Sequence, residues 1–183
     1  MVKAMRLIPA GAAIRSARVR WVMAALAGAV LAADQVTKSL VLAGHPADGS
    51  TFGWVTVRLV RNTGASGGLA SGYPVLVTLV AIAVTVLAVV LAVRARGRAT
   101  AICLAAVLGG ALGNLSDRIF RSPGFGRGGV VDWIHLAGGG GSLDLADLAI
   151  QFGVLGAVIA TLIAERARTA NERRRAQEQA SSQ

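Results

Sequence analysis

The chain has 183 residues, of which 54% are apolar and only 15% charged, with a mean hydropathy of +0.61. These values exclude an ordinary soluble globular domain and predict a single domain of the membrane class. A net charge of +10 would suit a nucleic-acid binder, but the basic residues fall in short segments between apolar runs and no recognition motif accompanies them, so no nucleic-acid partner is expected.

Taken in chain order, residues 1–20 are basic, with Lys3, Arg6, Arg15, Arg18 and Arg20. Residues 21–43 form the first run long enough to span a bilayer, which takes about 20 residues of helix. This run carries Asp34 and Lys38 in its second half. "LAA" before Asp34 resembles a signal-peptide cleavage site, but hydrophobicity resumes at "SLVLAG" and the basic region is long, so a retained span is expected. In residues 44–73, "WVTVRLVRN" alternates Val55, Val57 and Leu59 with Thr56 and Arg58, the pattern of a short strand, and "NTG" then marks a turn. The second span, 74–93, holds no charge, and Arg94, Arg96 and Arg98 follow it. The third, 99–118, ends on "GNLSDR" and contains the single cysteine, Cys103, expected to be a small packed hydrophobe. Residues 119–146 are glycine-rich around another strand-prone run, "VVDWI". The fourth span is 147–164, and residues 165–183 form a polar, basic tail expected to be an exposed helix. The predicted fold class is an all-α membrane protein, a four-transmembrane-helix bundle with a small extracytoplasmic β-sheet region.

Four spans put the N-terminal segment, the arginine turn and the tail on one side. By the positive-inside rule that side is the cytoplasm, and both termini lie there. Six of the nine acidic residues, Asp34, Asp48, Asp117, Asp132, Asp144 and Asp147, then fall near the opposite face. An ionisable group at mid-membrane costs about 2.5–3.5 kcal/mol on insertion scales and marks a candidate site. At an interface the cost is smaller, so helix-end anchoring competes as an explanation for any one of them. Several features act together here. Asn114, Asp117 and Arg118 share one face of the third span, as Asp34 and Lys38 do on the first. Two close carboxylates cannot both ionise easily and share a proton. One can then take a proton from water while the other polarises a carbonyl, which is peptide hydrolysis without a metal or a nucleophilic side chain.

His45 and His135 are the only histidines, and neither HExxH nor GxSxG occurs, so no metal or other cofactor is expected. His135 reads as an interfacial polar residue. A proton-coupled transporter is disfavoured, because no acidic residue sits mid-span in the second to fourth spans and no inverted repeat is visible. An assembly factor held by small residues such as Gly109 and Gly113 remains the alternative from another class.

"DQVTKSLV", "RNTGASGGL", "GGALGNLSDR", "VVDWI" and "LDLADLAI" together, in this order, resemble the five motifs of the signal peptidase II family of bacterial intramembrane aspartyl proteases. The resemblance implies removal of the signal peptide from diacylglyceryl-modified prolipoproteins, cut N-terminal to the lipidated cysteine. It implies Asp132 and Asp147 as the catalytic pair. Asn62, Asn114 and Arg118 match positions that hold the substrate backbone, and Asp34, Lys38 and Asp117 match positions that support the site. The expected partners are the lipidated precursor and membrane lipid, for a monomer in the bacterial plasma membrane with its site near the outer face. Within the pair, the dipole of the fourth span favours Asp147 as the ionised member. Two departures stand out. Asp144 occupies a position that is usually Asn; on a helix it shares a face with Asp147, and it either lies beside the pair as a third carboxylate or points into the loop. Gly67 or Gly68 stands where an aromatic is usual, which predicts looser substrate packing. The run Gly138–Gly141 reads either as a lid or as a slack linker.

Overall fold

The computed structural model describes residues 17–44, 49–65, 69–136 and 141–182. The elements are α1 (Ala17–Gly44), β1 (Ser50–Phe52), β2 (Val55–Asn62), α2 (Pro74–Arg94), α3 (Arg98–Phe120), β3 (Val130–Leu136), β4 (Ser142–Leu143) and α4 (Leu145–Ser181). All four helices are long and apolar enough to cross a membrane. Their outward faces are apolar, with Leu79, Val86 and Ile163 each more than half exposed. Lipid is the solvent that makes such faces tolerable.

Helix limits follow local chemistry. Pro74 sits in the first turn of α2, where its missing N–H costs nothing. Asp144 caps α4, its side chain accepting the Asp147 N–H. Asp144 is therefore outside the helix, with φ −128° and ψ −176°. This corrects the expectation that Asp144 and Asp147 share a helical face. α4 runs on beyond its apolar stretch as an exposed polar helix to Ser181.

α3 is the centre of the bundle, and α1, α2 and α4 all pack on it. Its glycines set the distances. A Cβ on Gly109 would lie 2.6 Å from the Ala27 carbonyl oxygen of α1, and one on Gly110 would lie 2.5 Å from the Ala146 carbonyl oxygen of α4. Close backbone approach of this kind is the small-residue packing of membrane helices.

The four strands form one antiparallel sheet in the order β1-β2-β3-β4. The strands foreseen in 44–73 and 119–146 are β2 and β3, paired through Val60↔Asp132, Arg61↔Val131 and Asn62↔Val130. β1 and β4 are two or three residues long, too short to show a period. The Val131 N–H donates to Asp117 Oδ2, which fixes the sheet to the C-terminal end of α3. His135 Nδ1 lies 3.1 Å from Ser142 Oγ, across the β3–β4 pair. Gly67, Gly68 and most of the glycine run lie outside the described residues.

Candidate active site

Five carboxylates meet where the sheet joins the bundle, and they divide into two groups. Asp34, Asp117 and Asp144 surround one ammonium. Lys38 Nζ lies 2.8 Å from Asp34 Oδ2, 2.9 Å from Asp117 Oδ2 and 2.7 Å from Asp144 Oδ2, and donates to Asn114 Oδ1 at 3.1 Å. Lys38, Asp34, Asp117 and Asp144 have no exposed surface. Burying one charge is prohibitive unless it is paired, so this cluster stands or falls together. The remaining oxygens are also used. Asp34 Oδ1 accepts the Ala146 N–H at 3.1 Å, which ties α1 to the first turn of α4. Gln35 Nε2 reaches Asp34, the Gly113 carbonyl and Asp117. Arg121 binds Asp117 through Nε and Gln35 through Nη2.

Asp132 and Asp147 form the second group, and among the described residues no basic side chain is bound to them. Asp132 is 2% exposed. Its Oδ2 accepts from Asn62 Nδ2 at 3.2 Å, whereas Oδ1 makes no hydrogen bond among the described residues. The Asn62 contact follows from register: Asn62 pairs with Val130, so its side chain meets Asp132 as the diagonal neighbour on the same sheet face. Asn62 Oδ1 also accepts the Gly64 N–H, an Asx turn at the strand end. Asp147, in the first turn of α4, accepts from Asn114 Nδ2 at 2.9 Å. Asn114 thus connects the Lys38 cluster to Asp147, its carbonyl oxygen on the ammonium and its amide on the carboxylate.

Asp132, Asp144 and Asp147 each bring a carboxylate oxygen within 4.8 Å of the others. Burial raises Asp132 to about 7, reinforced by the nearby Asp144 and Asp147 charges and partly offset by Asn62. Burial likewise raises Asp144 to about 7 against the pull of Lys38. Three close carboxylates could in principle share a cation, but the Lys38 ammonium already occupies that role on Asp144.

Arg118 is 6% exposed. Its Nη2 donates to the Gly64 carbonyl at 2.6 Å, while Nη1 is buried without a partner among the described residues. Asn62, Asn114, Arg118 and Asp147 line a cleft of about 380 Å³ between α2 and α4, walled by apolar residues such as Val80, Val84 and Ile150. All eight residues singled out from the sequence therefore gather at one end of the bundle. The sequence reading missed Gln35 and Arg121. Gln35 lies within the "DQVTK" motif, but its partners are on α3 and nothing local reveals them. The reading also left Asp144 open, and the structure places it inward as the cap of α4 and a partner of Lys38.

Close carboxylates with perturbed proton affinity beside a cleft are the mark of a catalytic centre more than of a packing interface. On a bundle of membrane-crossing helices, they define a membrane-embedded enzyme. The family model described as Signal peptidase (SPase) II matches residues 26–163. The lipoprotein signal peptidase of Rhodococcus jostii (strain RHA1) is 40% identical over 153 residues, 79% of this chain and 74% of that one. That of Mycobacterium avium (strain 104) is 36% identical over 157 residues, 82% and 84% of the two chains. Similar solved structures include two bacterial membrane enzyme structures obtained by the in meso method, at 2.3 and 1.9 Å resolution. Their TM-scores are 0.64 and 0.63 at 25% identity, over 81% and 76% of this chain and 90% and 92% of theirs. The chain belongs to the signal peptidase II family, and it is a multi-pass membrane protease.

Proposed function

We propose that this chain removes the signal peptide from diacylglyceryl-modified prolipoproteins, cutting N-terminal to the lipidated cysteine with a water activated between Asp132 and Asp147. The observation that carries this reading is the division of the carboxylates: three share the Lys38 ammonium, and the two left without a cation among the described residues come from different elements, Asp147 lining the cleft and Asp132 bonded to Asn62 of its wall. The substrate class rests on the lipoprotein signal peptidases to which the chain is similar.

In this mechanism Asp147 takes a proton from water as the hydroxide oxygen bonds to the scissile carbonyl carbon. Asp132, held by Asn62 on one oxygen and unengaged on the other among the described residues, gives its proton to the carbonyl oxygen. The resulting diol collapses as Asp132 recovers a proton from it and Asp147 protonates the leaving amine. One proton stays with the pair throughout, so its two titrations belong to the pair. The Nη1 of Arg118, without a partner among the described residues, is a donor available to a substrate carbonyl. An extended substrate segment suits this donor, because most carbonyls of a helical peptide are already engaged within the helix.

The positive-inside rule supports an orientation with both termini in the cytoplasm, and the sheet and site near the outer face. The test is cleavage of a diacylglyceryl-modified precursor by the purified protein, comparing wild type with Asp132→Asn and Asp147→Asn. Cleavage by wild type alone, with both variants folded, is the expected result. Cleavage by either variant at more than about a hundredth of the wild-type rate removes that residue from the role, since acid–base groups contribute about 10²–10⁴-fold.

A further inference from the structure

A second cavity lies at the opposite end of the bundle from the carboxylates. α1 and α2 each pack on α3 rather than on each other, so a groove runs between them. Its volume is about 660 Å³, within the range of small-molecule sites. Its walls are apolar: Ala92 and Ala105, 2% and 1% exposed, lie at its back, with Ala24, Met23, Val89 and Leu108 beside them. Arg20 of α1, Arg94 at the end of α2 and Arg96 of the turn also line it, and among the described residues no acidic one does.

We infer that this groove binds one anionic phospholipid, its phosphate among Arg20, Arg94 and Arg96 and an acyl chain along the alanine-lined wall between α1 and α2. Two features select this occupant. The groove joins an apolar wall to a basic mouth, which matches a lipid and fits neither a free phosphate nor a neutral lipid. A second copy inserted in the same sense would bring its own arginines to the same level, where like charges repel. The neighbouring cavity between α2, α3 and α4 also contains Arg94 and Arg96, with Arg168, but Glu165 sits among them and leaves it less basic than the first groove. Basic pockets between membrane helices are a known way of holding lipid head groups.

The experiment is native mass spectrometry of the full chain released from detergent, with phosphatidylglycerol or phosphatidylcholine added at equal concentration. One tightly retained phosphatidylglycerol per chain is expected, with at least tenfold preference over phosphatidylcholine. The Arg20→Gln/Arg94→Gln/Arg96→Gln variant loses that preference. The Arg173→Gln/Arg174→Gln/Arg175→Gln variant, which removes the same charge from the exposed tail, keeps it. Ala24→Leu, at an exposed position that leaves every arginine in place, lowers retention by filling the groove. Glycerol phosphate in excess does not compete. Equal retention of the two lipids, equal loss in the tail variant, or competition by glycerol phosphate overturns the proposal. Unchanged retention in Ala24→Leu overturns the placement of the chain.

Discussion

Replacing Lys38 by Met keeps most of the side chain's volume and removes its charge. In the native protein the ammonium has three N–H groups and sits within 2.9 Å of three carboxylates, all wholly buried. Breaking a single buried pair costs about 3–5 kcal/mol. The loss for Lys38→Met at pH 8 is therefore at least about 3 kcal/mol, or roughly 10 °C at 2–4 °C per kcal/mol for a chain of this size. The pH dependence has a definite sign. Asp144 stands at about 7 even with Lys38 beside it, and without the ammonium it rises further. The folded variant then binds protons that its unfolded chain releases, so its stability falls as pH rises through neutrality. The loss is larger at pH 8 than at pH 5, where a proton replaces part of the missing charge. Unfolding in detergent micelles at the two pH values measures it. The double variant Lys38→Met/Asp144→Asn recovers part of the loss, since the two residues are in contact and do not add. A loss under about 1 kcal/mol at pH 8, or the same loss at both pH values, would refute the view that Lys38 holds this cluster together.

Asp144→Asn alone keeps an equally good N-cap but removes a charge that raises Asp132; the alkaline limb of the activity profile moves down by about half to one pH unit, and a pH–rate profile checks it. Asp132→Asn abolishes cleavage yet unfolds at a higher temperature than wild type at pH 8. Asp132 ordinarily titrates near 3.8 and stands at about 7 in the fold, so the wild type loses stability as pH rises between those values and the difference vanishes near pH 4, as a pair of thermal scans shows. Gly110→Ala puts a methyl group 2.5 Å from the backbone carbonyl of Ala146, which can yield only by shifting α4; it costs about 1–3 kcal/mol and lowers kcat by moving Asp147, measured by cleavage at saturating precursor.

The membrane spans were legible because each is a long run of apolar residues, and a bilayer reads little else. β2 and β3 were legible from short strand-prone runs, in β2 an alternating one, whereas β1 and β4 exist only through their partners. Asp34 and Lys38 could be paired from i, i+4 spacing on one helix. The other two carboxylates around Lys38 could not, because Asp117 and Asp144 come from α3 and from the cap of α4. Asp144 shows the limit most sharply. Its spacing to Asp147 suggested a common helical face, but one residue before the helix its backbone is extended and its side chain turns back to cap the helix and meet the ammonium.

The sequence by itself determined that this chain has four helices long and apolar enough to cross a membrane and that Asp34, Asp117, Asp132, Asp144 and Asp147 collect toward one end. It also supplied the family through five ordered motifs. Tertiary structure alone decided which carboxylates share the Lys38 ammonium and which do not. That division depends on how closely α1, α3 and α4 approach one another, and the approach is set by the absence of a side chain at Gly109, Gly110 and Gly113. At Gly113 a Cβ would stand 2.5 Å from Asp34 Oδ2. The missing methyl groups are plain in the sequence, but what they leave room for is a property of three helices together.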